Sequence, residues 1–144
     1  KIKATLEYSE NSNRTETVYY HENGIMMSKG IYRNMKKDSI WLNYSSSGKL
    51  NSSESYKNGA LDGEATYYLT DGSISSTGQY HNGNREGFWV RFDKKTKMPS
   101  KEFYLNGQLL TEKETKAHLE LLKKTKSTKP ASKAPVKSSP KRKS

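Results

Sequence analysis

Nine aromatic residues stand at an unbroken interval of twelve: Tyr8, Tyr20, Tyr32, Tyr44, Tyr56, Tyr68, Tyr80, Phe92 and Tyr104. Aromatics make up 10% of the chain, so chance does not supply such a run. Twelve residues suit one strand plus one turn, which makes the full period a 24-residue β-hairpin. Helix pairs usually need a longer period, and these segments hold too many Ser, Thr, Tyr, Asn and Gly residues for good helices. The expected fold is an all-β repeat protein, an elongated antiparallel meander of stacked hairpins. Each step of two strands advances the sheet by roughly 9 to 10 Å, so four copies give a ribbon on the order of 40 Å. No single copy has enough apolar surface to offset its ordering entropy, so each depends on its neighbours.

The turn residues keep the same period. Asn58-Gly59, Asn82-Gly83 and Asn106-Gly107 are pairs that accept the positive φ angles of tight reversals, and Asn34-Met35 holds the same place in the first copy. Asp62-Gly63, Glu86-Gly87 and the weaker Asp38-Ser39 are expected to close these loops and start the return strands. Gly24, Gly48 and Gly72 mark the opposite hairpin ends; the fourth copy has Thr96 there, with Pro99 soon after, where the array is expected to degenerate. One comparison sets the register. Gly30 and Gly78 are each followed eleven residues later by Trp41 and Trp89, whereas Glu54 is followed by Ala65. An indole laid across a bare glycine backbone accounts for the pairing, with Trp89 packing back over Gly78 and Tyr80 stacking along the sheet.

Leu, Ile, Val and Phe number only 22 of 144 residues, set against ten tyrosines and two tryptophans. The core is therefore thin and aromatic. Cysteine is absent, which removes disulfides, thiolate metal sites and cysteine nucleophiles. No stretch approaches the roughly 20 apolar residues of a membrane-spanning helix. The chain begins at Lys1 rather than Met, so an upstream segment is expected. The compartment stays open: cytoplasmic, or periplasmic or secreted if a signal peptide preceded Lys1.

The repeated pattern Tyr-x-Asn-Gly-x-x-Asp/Glu-Gly-x-Trp, followed by an aromatic and then a glycine, resembles the variant MORN repeat over residues 19 to 107, with a half copy from Ile2 to Tyr20. The resemblance implies stacked hairpins without catalytic machinery, used for protein contacts, scaffolding or membrane-surface attachment. A bacterial branch of that family, the YwqK-like proteins, is described as antitoxin or immunity partners of secreted toxins.

The formal net charge is +11, and it is unevenly placed. Residues 121–144 carry Lys123, Lys124, Lys126, Lys129, Lys133, Lys137, Lys141, Arg142 and Lys143 and no acid; the other 17 basic residues meet 15 acids. Thr111 followed by Glu114 is a capping-box signature, and Ala117, His118, Leu121 and Leu122 form a stripe at helical spacing. A helix over 112–124 is expected, folding back to cap the array. From Thr125 the Lys, Pro and Ser content predicts a disordered tail. The expected organisation is an amino-terminal part-repeat over 1–18, the array over 19–110, a capping helix over 111–124 and the tail over 125–144.

Catalytic constellations are absent from the pattern. His21, His81 and His118 hold unrelated places in the repeat, and no acid shares a metal-ligand spacing with them. The Asn-Gly and Asp-Gly pairs lack the strand-to-helix junction and the Lys-Ser/Thr of a phosphate loop. No catalytic, metal or cofactor residue is assigned, and no small-molecule substrate is expected. The leading reading is a non-catalytic interaction or scaffold module with a protein partner, Trp41 and Trp89 being its anchors if they face solvent and its core if they do not. Two alternatives stand beside it. One is an antitoxin or immunity role; the other is attachment to nucleic acid or an anionic membrane through the basic tail.

Overall fold

The computed structural model describes residues 3–8 and 13–127, with side chains from residue 13 onward. Among the described residues ten strands form one antiparallel sheet in strict chain order: β1 (Lys3–Tyr8), β2 (Arg14–Tyr20), β3 (Met26–Arg33), β4 (Lys36–Tyr44), β5 (Leu50–Lys57), β6 (Ala60–Tyr68), β7 (Ile74–His81), β8 (Asn84–Phe92), β9 (Pro99–Leu105) and β10 (Gln108–Leu110). The helix α1 (Glu112–Ser127) follows. The chain divides into two compact units, Lys1–Thr111 and Glu112–Ser144. β2 crosses position 18 without a break, so the expected part-repeat and the array share one sheet.

Two kinds of turn alternate along the chain. β3–β4, β5–β6, β7–β8 and β9–β10 are joined by two residues, both at positive φ: Asn34 and Met35 at 50° and 64°, and Asn58 and Gly59 at 50° and 84° in the next copy. This is the reversal whose twist matches the strands it joins. Met35 adopts the left-handed conformation at a steric cost that glycine avoids, and the residue is 94% exposed. The other ends use longer loops closed by Gly24, Gly48 or Gly72, with Gly24 N–H donating to the His21 carbonyl at 2.9 Å. In the fourth copy the left-handed residue is Lys97 rather than Thr96. There the residue that bulges out of pairing in the earlier copies, opposite Tyr20, Tyr44 and Tyr68, is taken into the loop, and Phe92 pairs directly with Pro99. The array therefore holds its register through Pro99 instead of degenerating.

The acid-glycine pairs do not close the tight loops. They lie inside the return strands as bulges: β4 runs from Asp38 to Leu42 while β3 runs only from Ile31 back to Lys29. Ser39, Gly63 and Gly87 take the positive φ that such a bulge requires. The acids tie neighbouring hairpins together, since Asn82 N–H donates to Asp62 at 3.2 Å and Asn106 N–H to Glu86 at 2.9 Å. Gly59, Gly83 and Gly107 N–H groups donate to the carbonyls of Lys37, Leu61 and Arg85. Each tight turn is thus bonded to the preceding hairpin.

The pleat divides the ring series between two faces. Tyr32, Tyr56, Tyr80 and Tyr104 share a face with Trp41 and Trp89, while Tyr20, Tyr44, Tyr68 and Phe92 fall on the other. Trp41 and Trp89, each 1% exposed, are the largest core side chains. A Cβ on Gly30 would lie 2.2 Å from Trp41 Cδ2, and one on Gly78 would lie 2.3 Å from Trp89 Cδ2. The indoles rest directly on glycine backbone, as the spacing predicts.

The helix is longer than expected, ending at Ser127. Thr125 Oγ1 donates back to the Leu122 carbonyl at 2.9 Å and Ser127 Oγ to that of Lys124 at 2.9 Å, which satisfies carbonyls of the last turn. Thr111 directly precedes the helix and Glu114 is its third residue, the positions a capping box needs. None of the helix residues is buried. The expected tail beyond Ser127, with Lys129, Lys133, Lys137, Lys141, Arg142 and Lys143, lies outside the described residues.

Two stability measurements follow from this packing. Gly78→Ala should destabilise by about 1–3 kcal/mol through overpacking, and Trp89→Ala by about 3–5 kcal/mol through a cavity. In urea melts the double variant should lose clearly less than the sum, because removing the indole makes room for the methyl. Met35→Gly should gain about 1 kcal/mol by relieving left-handed strain, raising Tm by a few degrees.

Candidate functional site

The indole face is built in three rows that cross the strands. Its central row reads Thr17, Gly30, Trp41, Glu54, Ala65, Gly78, Trp89, Glu102 from β2 to β9. The row toward the tight turns carries Tyr32, Lys37, Tyr56, Leu61, Tyr80, Arg85 and Tyr104. Similar chemistry recurs every 48 residues rather than every 24: glycine, indole and cation in one copy, then glutamate, alanine and leucine in the next.

In the indole copies each Trp is enclosed by rings and a cation. Trp41 stacks with Tyr19 at 6.3 Å and meets Tyr32 edge-on at 5.0 Å, while Lys37 Nζ lies 4.5 Å from its ring. Trp89 repeats this with Tyr67 at 6.3 Å, Tyr80 at 5.1 Å and the Arg85 guanidinium at 4.3 Å. The indole N–H groups donate to the Ile31 and Gln79 carbonyls at 3.1 and 3.0 Å, the residues just past each glycine where the bulge interrupts the ladder. Tyr80 therefore meets the indole by its edge, not by stacking.

Between these lies an acidic copy. Glu54 accepts hydrogen bonds from three neutral donors: Tyr67 OH at 2.8 Å, Tyr56 OH at 3.2 Å and Asn43 Nδ2 at 3.3 Å. Its side chain stands beside Ala65, which is 1% exposed. Glu102 accepts from Tyr104 OH at 3.0 Å and faces Arg91 at 3.6 Å. Partial burial, with the Glu54 charge beside it, pushes the Tyr56 phenol up to about 12. Burial and the Tyr19 hydroxyl do the same for Tyr32, also to about 12, and burial with the Tyr80 and Glu54 contacts raises Tyr67 further.

The opposite face is apolar at both ends, aliphatic at one and aromatic at the other, and polar between. Val18, Ile31, Ile40 and Leu42 line a shallow depression there with Glu16 and Lys29. Phe88 meets Phe103 edge-on at 4.8 Å. Ile40 is 58% exposed and Phe88 50%, at equivalent places two copies apart. Thr66 and Thr77 join hydroxyls at 2.9 Å on the strands between.

The sequence-predicted candidates separate accordingly. Trp41 and Trp89 lie in the core, so neither offers surface to a partner, and the condition on their anchor role fails because rings and cations already enclose them. Ile40 and Phe88 are among the exposed apolar residues and were not singled out by ring spacing alone; their 48-residue separation was the available signal. Lys123, Lys124 and Lys126 are exposed on α1. The histidines stand apart: His21 Nε2 pairs with the Tyr44 carbonyl at 2.9 Å, His81 lies 3.5 Å from Asp62, and His118 is on α1. Among the described residues no group of three or more His, Asp or Glu could hold a metal ion. No helix among them is long and apolar enough to cross a membrane.

A sheet that repeats one hairpin in strict order, with turn, bulge and ring positions recurring in phase, defines a β-repeat protein. The chain belongs to the family described as the MORN repeat variant, which matches residues 15–34, 37–58, 61–82 and 98–117. The last match reaches into α1, further than the motif pattern alone extends, and the segment bearing Trp89 lies between matches. No curated protein matches the chain. Repeats of this family commonly serve as protein- or membrane-interaction modules and are generally non-catalytic.

The raised phenols carry a pH consequence. Tyr32 and Tyr56 hold their protons more tightly folded than unfolded, so the stability they confer is intact below pH 10, the ordinary phenol value, and is lost as pH rises toward about 12. In an alkaline absorbance titration Tyr32, Tyr56 and Tyr67 should ionise only as the sheet melts, with melting followed by far-UV circular dichroism.

Proposed function

We propose that this protein is a non-catalytic interaction module whose sheet offers the face opposite the indoles to a protein partner, with the basic carboxyl-terminal segment adding electrostatic attraction. The observation that carries the reading is the paired exposure of Ile40 and Phe88, 58% and 50%, on the face opposite the two buried indoles. Four strand spacings separate them, roughly 19 Å. Two apolar footholds at that distance, with Ser and Thr between, fit a partner that spans several hairpins rather than one that inserts into a pocket. The lysines from Lys123 onward favour an acidic partner surface and faster encounter.

Affinity capture with the full chain, followed by direct binding of the recovered protein, tests this. The variant Ile40→Ser with Phe88→Ser should keep its circular dichroism spectrum yet bind at least about tenfold more weakly. A chain ending at Ser127 should bind with a shallower salt dependence. Equal binding by the folded double variant would overturn the proposed face.

A further inference from the structure

The indole face carries a second surface with a different occupant. Its charged side chains from β3 to β9 are Lys37 on β4, Glu54 on β5, Arg85 and Arg91 on β8 and Glu102 on β9. Read across the strands, the signs run plus, minus, plus, minus, so the series read backwards is its own complement. A two-fold axis parallel to the strands, between β6 and β7, lays this face on the same face of a second copy. β4 then meets β9, β5 meets β8, and β6 meets β7. Lys37 lies within one residue pair of Glu102 of the second copy, and Glu54 stands opposite Trp89 of the second copy, with Arg85 and Arg91 of that copy in the rows on either side.

Size agrees with charge at the axis. Tyr67 of β6 falls opposite Ser76 of the second copy, and Ala65 opposite Gly78, so bulky groups do not collide. Eight strands of this face cover roughly 800–900 Å², about what each partner of a standard interface buries. The tyrosines here are only half-buried, as in a sheet lacking the second layer that domains ordinarily have. We infer that the protein forms a two-fold dimer through its indole face, held by Lys37–Glu102 and Glu54–Arg85/Arg91 pairs between copies. The surface differs from the one proposed for the protein partner, so the two readings stand or fall separately.

Sedimentation of the full chain between about 1 and 100 µM is the test. Wild type should dimerise, and Lys37→Glu or Glu102→Lys should each weaken association at least about tenfold. Combining the two should restore it. Positions 37 and 102 are five strands apart within one chain, roughly 24 Å, so the rescue reports contact between copies. Should Lys37→Glu lose its sheet spectrum, Arg91→Glu replaces it as a single reversal without the rescue arm, since the Arg91 side chain is 67% exposed and also faces Glu102 of its own chain, and the reversal is opposed by Glu54 of the second copy. A wild type that stays monomeric, or a dimer unmoved by these reversals or unrescued by the combined one, would overturn the arrangement. Ile40→Ser with Phe88→Ser should leave the dimer intact whatever its effect on the protein partner.

Discussion

The contact of an indole with a bare glycine backbone organises this sheet. Gly30 and Gly78 leave room for Trp41 and Trp89 to lie flat across the neighbouring strand, and a methyl group at either position would occupy the ring itself. The bulge at Ser39 or Gly87 swings the ring into place, and the indole N–H bonds the carbonyl just past the glycine. Burial, bulge and hydrogen bond thus serve one contact. The flanking tyrosines and the cation over each ring then extend a dry layer that a chain poor in aliphatic residues could not otherwise assemble.

Much of this was legible in the chain because turns and rings obey short-range rules. Two-residue turns at positive φ favour Asn and Gly, and a tryptophan that twice follows a glycine by eleven residues marks the two as cross-strand neighbours. The acid-glycine pairs were harder. Asp62-Gly63 looks like turn chemistry by composition, yet it serves a bulge, and the feature that separates the two readings is a bond to the next hairpin, from Asn82 N–H to Asp62. Nothing local to residues 62 and 63 contains that information. Loop four is similar: Thr96 occupies the expected glycine position, but shifting one unpaired residue out of the strand and into the loop moves the strained site to Lys97.

The functional surface was less legible than the fold. Aromatic residues are prominent in any search for anchors, and the rhythm of twelve drew attention to rings that turn out to sustain the sheet. Period counting also conceals the division between faces: a series at twelve-residue spacing alternates sides because strands are pleated and bulges intervene. Ile40 and Phe88 stand out only once the side to which each residue points is known.

The alternation of indole and acidic copies has a consequence for how such a chain can change length. Excising the acidic hairpin would bring the two indole copies side by side, setting Trp41 next to the Gly78 backbone that Trp89 already covers and removing the glutamate that Tyr67 bonds. Removing or inserting two together preserves every lateral neighbour. A change of length that keeps these lateral contacts therefore comes in even steps of hairpins.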